Sequence, residues 1–135
     1  MKKYFTHIIL SAGLSAILGS LTLSAQDQME VATIPFAFEV NHVSLPAGEY
    51  TVQRVNSADL FQIYDADGHS IFLMAPINEE GAPNPRLVFR CYGNDRVLSQ
   101  IWTGSGTGYG LVKSQWEKDR KLEMSAVISV ALKHR

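Results

Sequence analysis

The sequence predicts an all-β protein: an antiparallel sandwich or a small, partly open barrel of seven to eight strands, with one short helix before the last strand. Three observations carry that prediction. In Ile34-Pro-Phe-Ala-Phe-Glu-Val40 the residues Ile34, Phe36, Phe38 and Val40 stand two apart, and successive side chains of a strand point to opposite faces. Short apolar runs recur along the chain, separated by Pro, Gly, Asn and Asp in turn-forming combinations. A helix start signal is found at Ser114.

Residues 1–25 are read as a secretory signal peptide. Lys2 and Lys3 form a positive start, Ile8 to Leu23 is an uncharged apolar run, and Ser24-Ala25 ends it with small residues. Gly13, Gly19 and three serines dilute the run, which argues against a retained membrane anchor. Residues 26–135 are then one β domain, exported to a periplasmic or extracellular space, with no membrane span after cleavage. Without Lys2 and Lys3 the chain has 10 basic and 13 acidic residues, a balance that argues against nucleic acid as a partner. Residues 111–135 are locally basic, and are read as a solvated end. Cys91 is the only cysteine, so no internal disulfide can form. Its alternation with Leu87 and Phe89 marks it as a small buried hydrophobe.

The strands follow in order. Residues 26–30 form an exposed lead-in to the first strand, Ile34 to Val40. The Pro/Gly-marked turn Asn41 to Glu49 leads to the second, Tyr50 to Val55. Leu60 to Tyr64 and Ser70 to Ile77 flank Asp65-Ala-Asp-Gly68, where Asp caps its own backbone and Gly accepts a positive φ. Asn78 to Pro85 is a loop by composition. Arg86 to Tyr92 and Arg96 to Thr103 make a hairpin about Gly93-Asn94-Asp95. Gly104 to Gly110, with a glycine at every second place, reads as a flexible loop. Ser114-Gln-Trp-Glu117 is a capping box opening a helix to about Leu122, with Glu117 and Lys121 paired one turn apart. Met124 to Leu132 alternates as a final strand. The expected core is Phe36, Phe38, Tyr50, Val52, Phe89 and Ile101.

Chemistry-bearing patterns are sparse. Asp65 and Asp67 begin like a calcium loop, but the third acidic ligand is missing and Pro76 stands where a bidentate Glu belongs. His42, His69 and His134 have no second His or Cys at metal-ligand spacing. The glycine run lacks a Gly directly before Lys113, so it is no phosphate loop, and Gly-Ser-Gly-Thr-Gly is no nucleophile elbow. The carboxylate pair Glu79-Glu80 falls in a predicted exposed loop. The reading is therefore non-enzymatic, with no catalytic residue, cofactor or metal. The candidate binding surface is the aromatic set Tyr92, Trp102, Tyr109 and Trp116, which could meet a sugar or a protein as readily as a core.

Four motifs together carry a resemblance. They are Ile34-Pro-Phe-Ala-Phe-Glu-Val40, Leu45-Pro-Ala-Gly-Glu-Tyr-Thr-Val52, Leu87-Val-Phe-Arg-Cys-Tyr-Gly93 and Leu98-Ser-Gln-Ile-Trp102. Over residues 31–122 the chain resembles small exported proteins of uncharacterised function that recur in acidobacterial genomes. The resemblance implies export and a bacterial source, and brings no activity, cofactor or site residue. The expected function is an exported binding or interaction module, its partner a protein or an envelope component. The alternative is a carrier of a small apolar ligand within a β-barrel.

Overall fold

The computed structural model describes residues 29–55 and 59–134. The expected signal peptide lies outside the described residues. The strands are β1 (Met29–Ile34), β2 (Phe38–Val40), β3 (Val43–Leu45), β4 (Gly48–Val55), β5 (Leu60–Asp65), β6 (Ser70–Met74) and β7 (Ile77–Glu80). They continue with β8 (Arg86–Tyr92), β9 (Asp95–Trp102), β10 (Thr107–Gly110), β11 (Met124–Ala131) and β12 (Lys133–His134). Helix α1 (Gln115–Asp119) and a 3-10 turn at Lys121–Glu123 precede β11. The all-β prediction holds, with more and shorter strands than expected.

Two open sheets face each other across a shared core, and among the described residues no barrel closes. One sheet has the order β12-β1-β4-β5-β6, and the other β11-β8-β9-β10-β7, with β2 parallel to β9 and antiparallel to β3. The core draws on both sheets through Ile34, Tyr50, Val52, Phe61 and Ile63 from one and Phe38, Phe89, Leu98 and Ile101 from the other. Phe38 meets Phe89 and Tyr50 edge-to-face, at 5.4 and 5.2 Å between ring centres. Cys91 is buried, as its alternation predicts.

Several expected boundaries move, each for a physical reason. The first predicted strand is two. β1 ends at Ile34 and β2 begins at Phe38 in the other sheet, and Pro35, which has no N–H for a ladder, stands at the break. Met29 and Glu30 are half-buried in β1 rather than an exposed lead-in. Phe36 lies in the crossover, half-buried against the core with its ring 5.0 Å from Phe89. Ser70 to Ile77 likewise splits at Ala75-Pro76, where the Ala75 N–H leaves the ladder and donates to the Asp59 carbonyl at 2.8 Å. Asn78, Glu79 and Glu80, expected in a loop, belong to β7.

The glycine run is also corrected, because Thr107–Gly110 is β10, paired with both β7 and β9. Its glycines serve close approach. A Cβ at Gly108 would lie 2.6 Å from the Trp102 ring, and one at Gly81 would lie 2.8 Å from it. Between β2 and β3, Asn41 and His42 both have positive φ (50° and 65°), as a two-residue hairpin requires. The return crossing into β4 is tied by the Tyr50 hydroxyl, which donates to the Pro46 carbonyl at 2.6 Å.

Candidate functional site

The four predicted aromatics do not share one surface. Tyr92, Trp102 and Tyr109 are buried and Trp116 is half-buried. Tyr92 meets Trp116 edge-to-face at 5.5 Å, and the Arg120 guanidinium lies 4.6 Å from the Trp116 ring centre. Trp102 lies under Arg86, at 4.4 Å, and its indole N–H donates to Gln100 at 2.9 Å. Tyr109 packs on Phe61 and beneath Arg54. Tyr92 and Trp102 are placed as packing residues, Trp116 is half-buried against Tyr92, and Tyr109 both packs on Phe61 and lines a cleft.

Trp116 and Tyr92 flank a buried ion cluster. Ser114 Oγ accepts from the Glu117 N–H and Glu117 reaches back to the Ser114 N–H, so the predicted capping box forms. The expected Glu117–Lys121 pair gives way to a different partner. Glu117 is 2 % exposed, and its carboxylate accepts from Arg90 Nε at 3.1 Å and Nη2 at 3.3 Å, and from the Tyr92 hydroxyl at 3.4 Å. A buried carboxylate needs such a set of donors, which a surface lysine cannot supply. The Tyr92 hydroxyl is pushed up by burial and by the Glu117 charge beside it. This cluster pins α1 to the sheet.

The turn after β5 also behaves as its sequence predicts. Asp65 Oδ1 accepts the N–H groups of Asp67 and His69, both at 3.0 Å, and Oδ2 lies 3.3 Å from His69 Nδ1. Loss of solvent alone would raise the Asp65 carboxyl, but the His69 and Asp67 hydrogen bonds outweigh it and hold the group low. Asp65, Asp67 and His69 offer ligand atoms within 4.8 Å of one another. The Asp65 oxygens are engaged in closing the turn.

A cleft of about 360 Å³ opens between the sheets at one end. Val52, Phe61, Ile101 and Tyr109 line its depth, while Glu30, Arg54, Thr103 and His134 stand around it. Burial raises the Glu30 carboxyl, and His134 partly opposes this. Arg54 lies 3.8 Å from Asp59. Thr103 Oγ1 and Ser105 Oγ bond each other at 2.8 Å. The cleft is open and carries charges of both signs, Glu30 and Arg54, beside its apolar depth.

A different surface emerges from strand register, which places opposite residues of neighbouring strands on the same face. Glu30, Val52, Ile63 and Ile71 form one inward row of the five-stranded sheet. The alternate rows face out. The first runs Val31, Thr51, Tyr64, Ser70; the second Met29, Gln53, Gln62, Phe72; the third Val55, Leu60, Met74. None of these residues is charged. Glu49, beside Thr33, and Lys133, beside Val31, border the field. Phe72 and Met74 are 54 % and 56 % exposed. The Tyr64 hydroxyl reaches back over β4 to Met29 Sδ, at 3.2 Å, and Thr51 beneath is buried. β6 is the outer strand of this sheet, and Asn41 Nδ2 donates to its Phe72 carbonyl at 3.1 Å. Sequence reasoning missed this face because each strand contributes only two or three unremarkable residues to it.

Comparison of the chain with protein-family models, with curated proteins and with solved structures finds no match. Among the described residues no helix is long and apolar enough to cross a membrane.

Proposed function

We propose that this protein is an exported, non-enzymatic binding module that docks an envelope component on the outer face of its five-stranded sheet. One observation carries the reading: an uncharged field over four strands, with Phe72 and Met74 more than half exposed at its rim. Large exposed apolar groups gathered on one face mark interaction surfaces. Export rests on the charge and apolar pattern of residues 2–25. The open sheets and the charged cleft weigh against an apolar-ligand carrier, which needs a dry enclosed cavity.

The test is co-sedimentation with bacterial envelope fractions. Wild-type protein is retained, and a Phe72→Gln/Met74→Gln variant with an unchanged melting temperature is released. Equal retention of the two would remove this face from the function.

A further inference from the structure

Resting on that docking reading, we infer that the occupant of the outer face is a neutral polysaccharide chain. Three features of the face select it. The first is charge. About a fifth of the whole chain is charged, yet the three outward rows carry none. A polyanion or nucleic acid would be met with lysines and arginines, and among the described residues that border the field Lys133 is the one cation, with Glu49 as an anion.

The second feature is the chemistry of the middle row. Gln53 and Gln62 are direct cross-strand neighbours, with Phe72 at the end of their row. Two amides at the centre of the face would lose hydrogen bonds beneath a lipid surface or an apolar protein patch, and buried polar groups left unpaired oppose binding. Sugar hydroxyls both donate and accept, and so replace the water that those amides give up.

The third feature is shape. The Tyr64 ring is held at its β5 backbone and, through its hydroxyl, at Met29 of β1, with β4 between them. That contact carries the ring across β4, over the outward side of the sheet. Phe72 stands diagonally from it, on the neighbouring strand. Two aromatic surfaces with amides beside them match the alternating C–H faces and hydroxyl edges of a sugar chain.

A second copy of this chain fits less well. Four strands spaced about 4.8 Å apart and roughly six residues long give on the order of 400 Å² of face, about half of the 800 Å² per partner that a stable dimer buries. An extended peptide would use the edge of β6, where the Asn41 side chain already occupies the Phe72 carbonyl.

Native gel electrophoresis of the purified protein tests the inference. The gels contain hydroxyethylcellulose, galactomannan, arabinoxylan, a soluble β-1,3-glucan or dextran, with alginate as the polyanion. The expected result is retardation by at least one neutral polymer and none by alginate. Retardation should persist at about 0.5 M salt, where electrostatic attraction is screened. Tyr64→Ala and Phe72→Ala should each weaken it by about tenfold. Tyr64→Phe keeps the ring and should lose less, which separates stacking from misfolding. Val127→Ala, exposed on the other sheet, should change nothing. Retardation by none of the neutral polymers, or retardation unaltered in Tyr64→Ala and Phe72→Ala, would overturn the inference. Sedimentation velocity on the same samples separates the two levels of the argument. A self-association abolished by Phe72→Ala would overturn the sugar chain as occupant yet keep the face as a docking surface.

Discussion

At the scale of single residues, two carboxyls depart from ordinary behaviour in opposite directions, and each predicts a pH dependence. Asp65 is held low by the hydrogen bonds of His69 and Asp67, which outweigh its loss of solvent. Its contribution to stability is therefore full above the ordinary carboxylate value and is lost as pH falls through the depressed one. Glu30 is raised by burial. It favours the fold while protonated, and that contribution is lost as pH rises through its raised value. At about pH 7, Asp65→Asn should lower the melting temperature and Glu30→Gln should raise it; both differences should shrink towards about pH 2–3. Melting curves across that range check both signs. Core packing gives a second residue-scale prediction. Phe38 is buried between Phe89 and Tyr50, so Phe38→Ala should cost about 3–5 kcal/mol in urea unfolding. Phe36, half-buried in the crossover with Arg96 over its ring, should cost less, about 1–2 kcal/mol. Equal losses would mean that the two phenylalanines share one environment.

At the scale of elements, the legible parts were those in which signals a few residues apart decide the structure. The β8–β9 hairpin, the self-capped turn after β5 and the capping box of α1 all form as their sequences predict. The misread parts depend on distant partners. Alternation from Ile34 to Val40 continues through Pro35, so the proline is the one local sign of a break, and only distant partners decide that the chain changes sheets there. The alternating glycines of β10 look flexible until Trp102 is seen against Gly108. That contact predicts the effect of Gly108→Ala. The indole is fixed by Arg86 above it and by Gln100 at its N–H, so it cannot yield to a methyl group. Overpacking should cost about 1–3 kcal/mol and move the tryptophan emission to longer wavelength. An unchanged spectrum and melting temperature would mean that the ring relaxes freely. The neutral outer face lies at the limit of legibility. Its residues are visible as alternate positions, but only register joins Gln53 to Gln62 and Gln62 to Phe72.

At the scale of the whole molecule, connectivity ties the two sheets into one unit. Among the described residues the chain changes sheets four times: from β1 to β2, from β3 to β4, from β6 to β7 and from β11 to β12. The last crossing places β12 beside β1, pairing His134 with Glu30. Leu132 at that crossing is buried in the common core, and its N–H donates to the Pro85 carbonyl at 3.0 Å. Neither sheet can open without exposing the inner face of the other, since Phe38 from one sheet packs on Tyr50 from the other. The prediction is a single cooperative transition. In native-state hydrogen exchange, the amides of Val52 in β4 and Phe89 in β8 should exchange with the same opening free energy. Leu132→Ala should lower both by the same amount, about 2–4 kcal/mol. Unequal losses at β4 and β8 would show that the sheets open separately. The shared core would then be an interface between two weaker units. Equal losses would fix the outer face as a rigid platform, because an uncharged surface of four strands keeps its shape only while the sheet behind it stays closed.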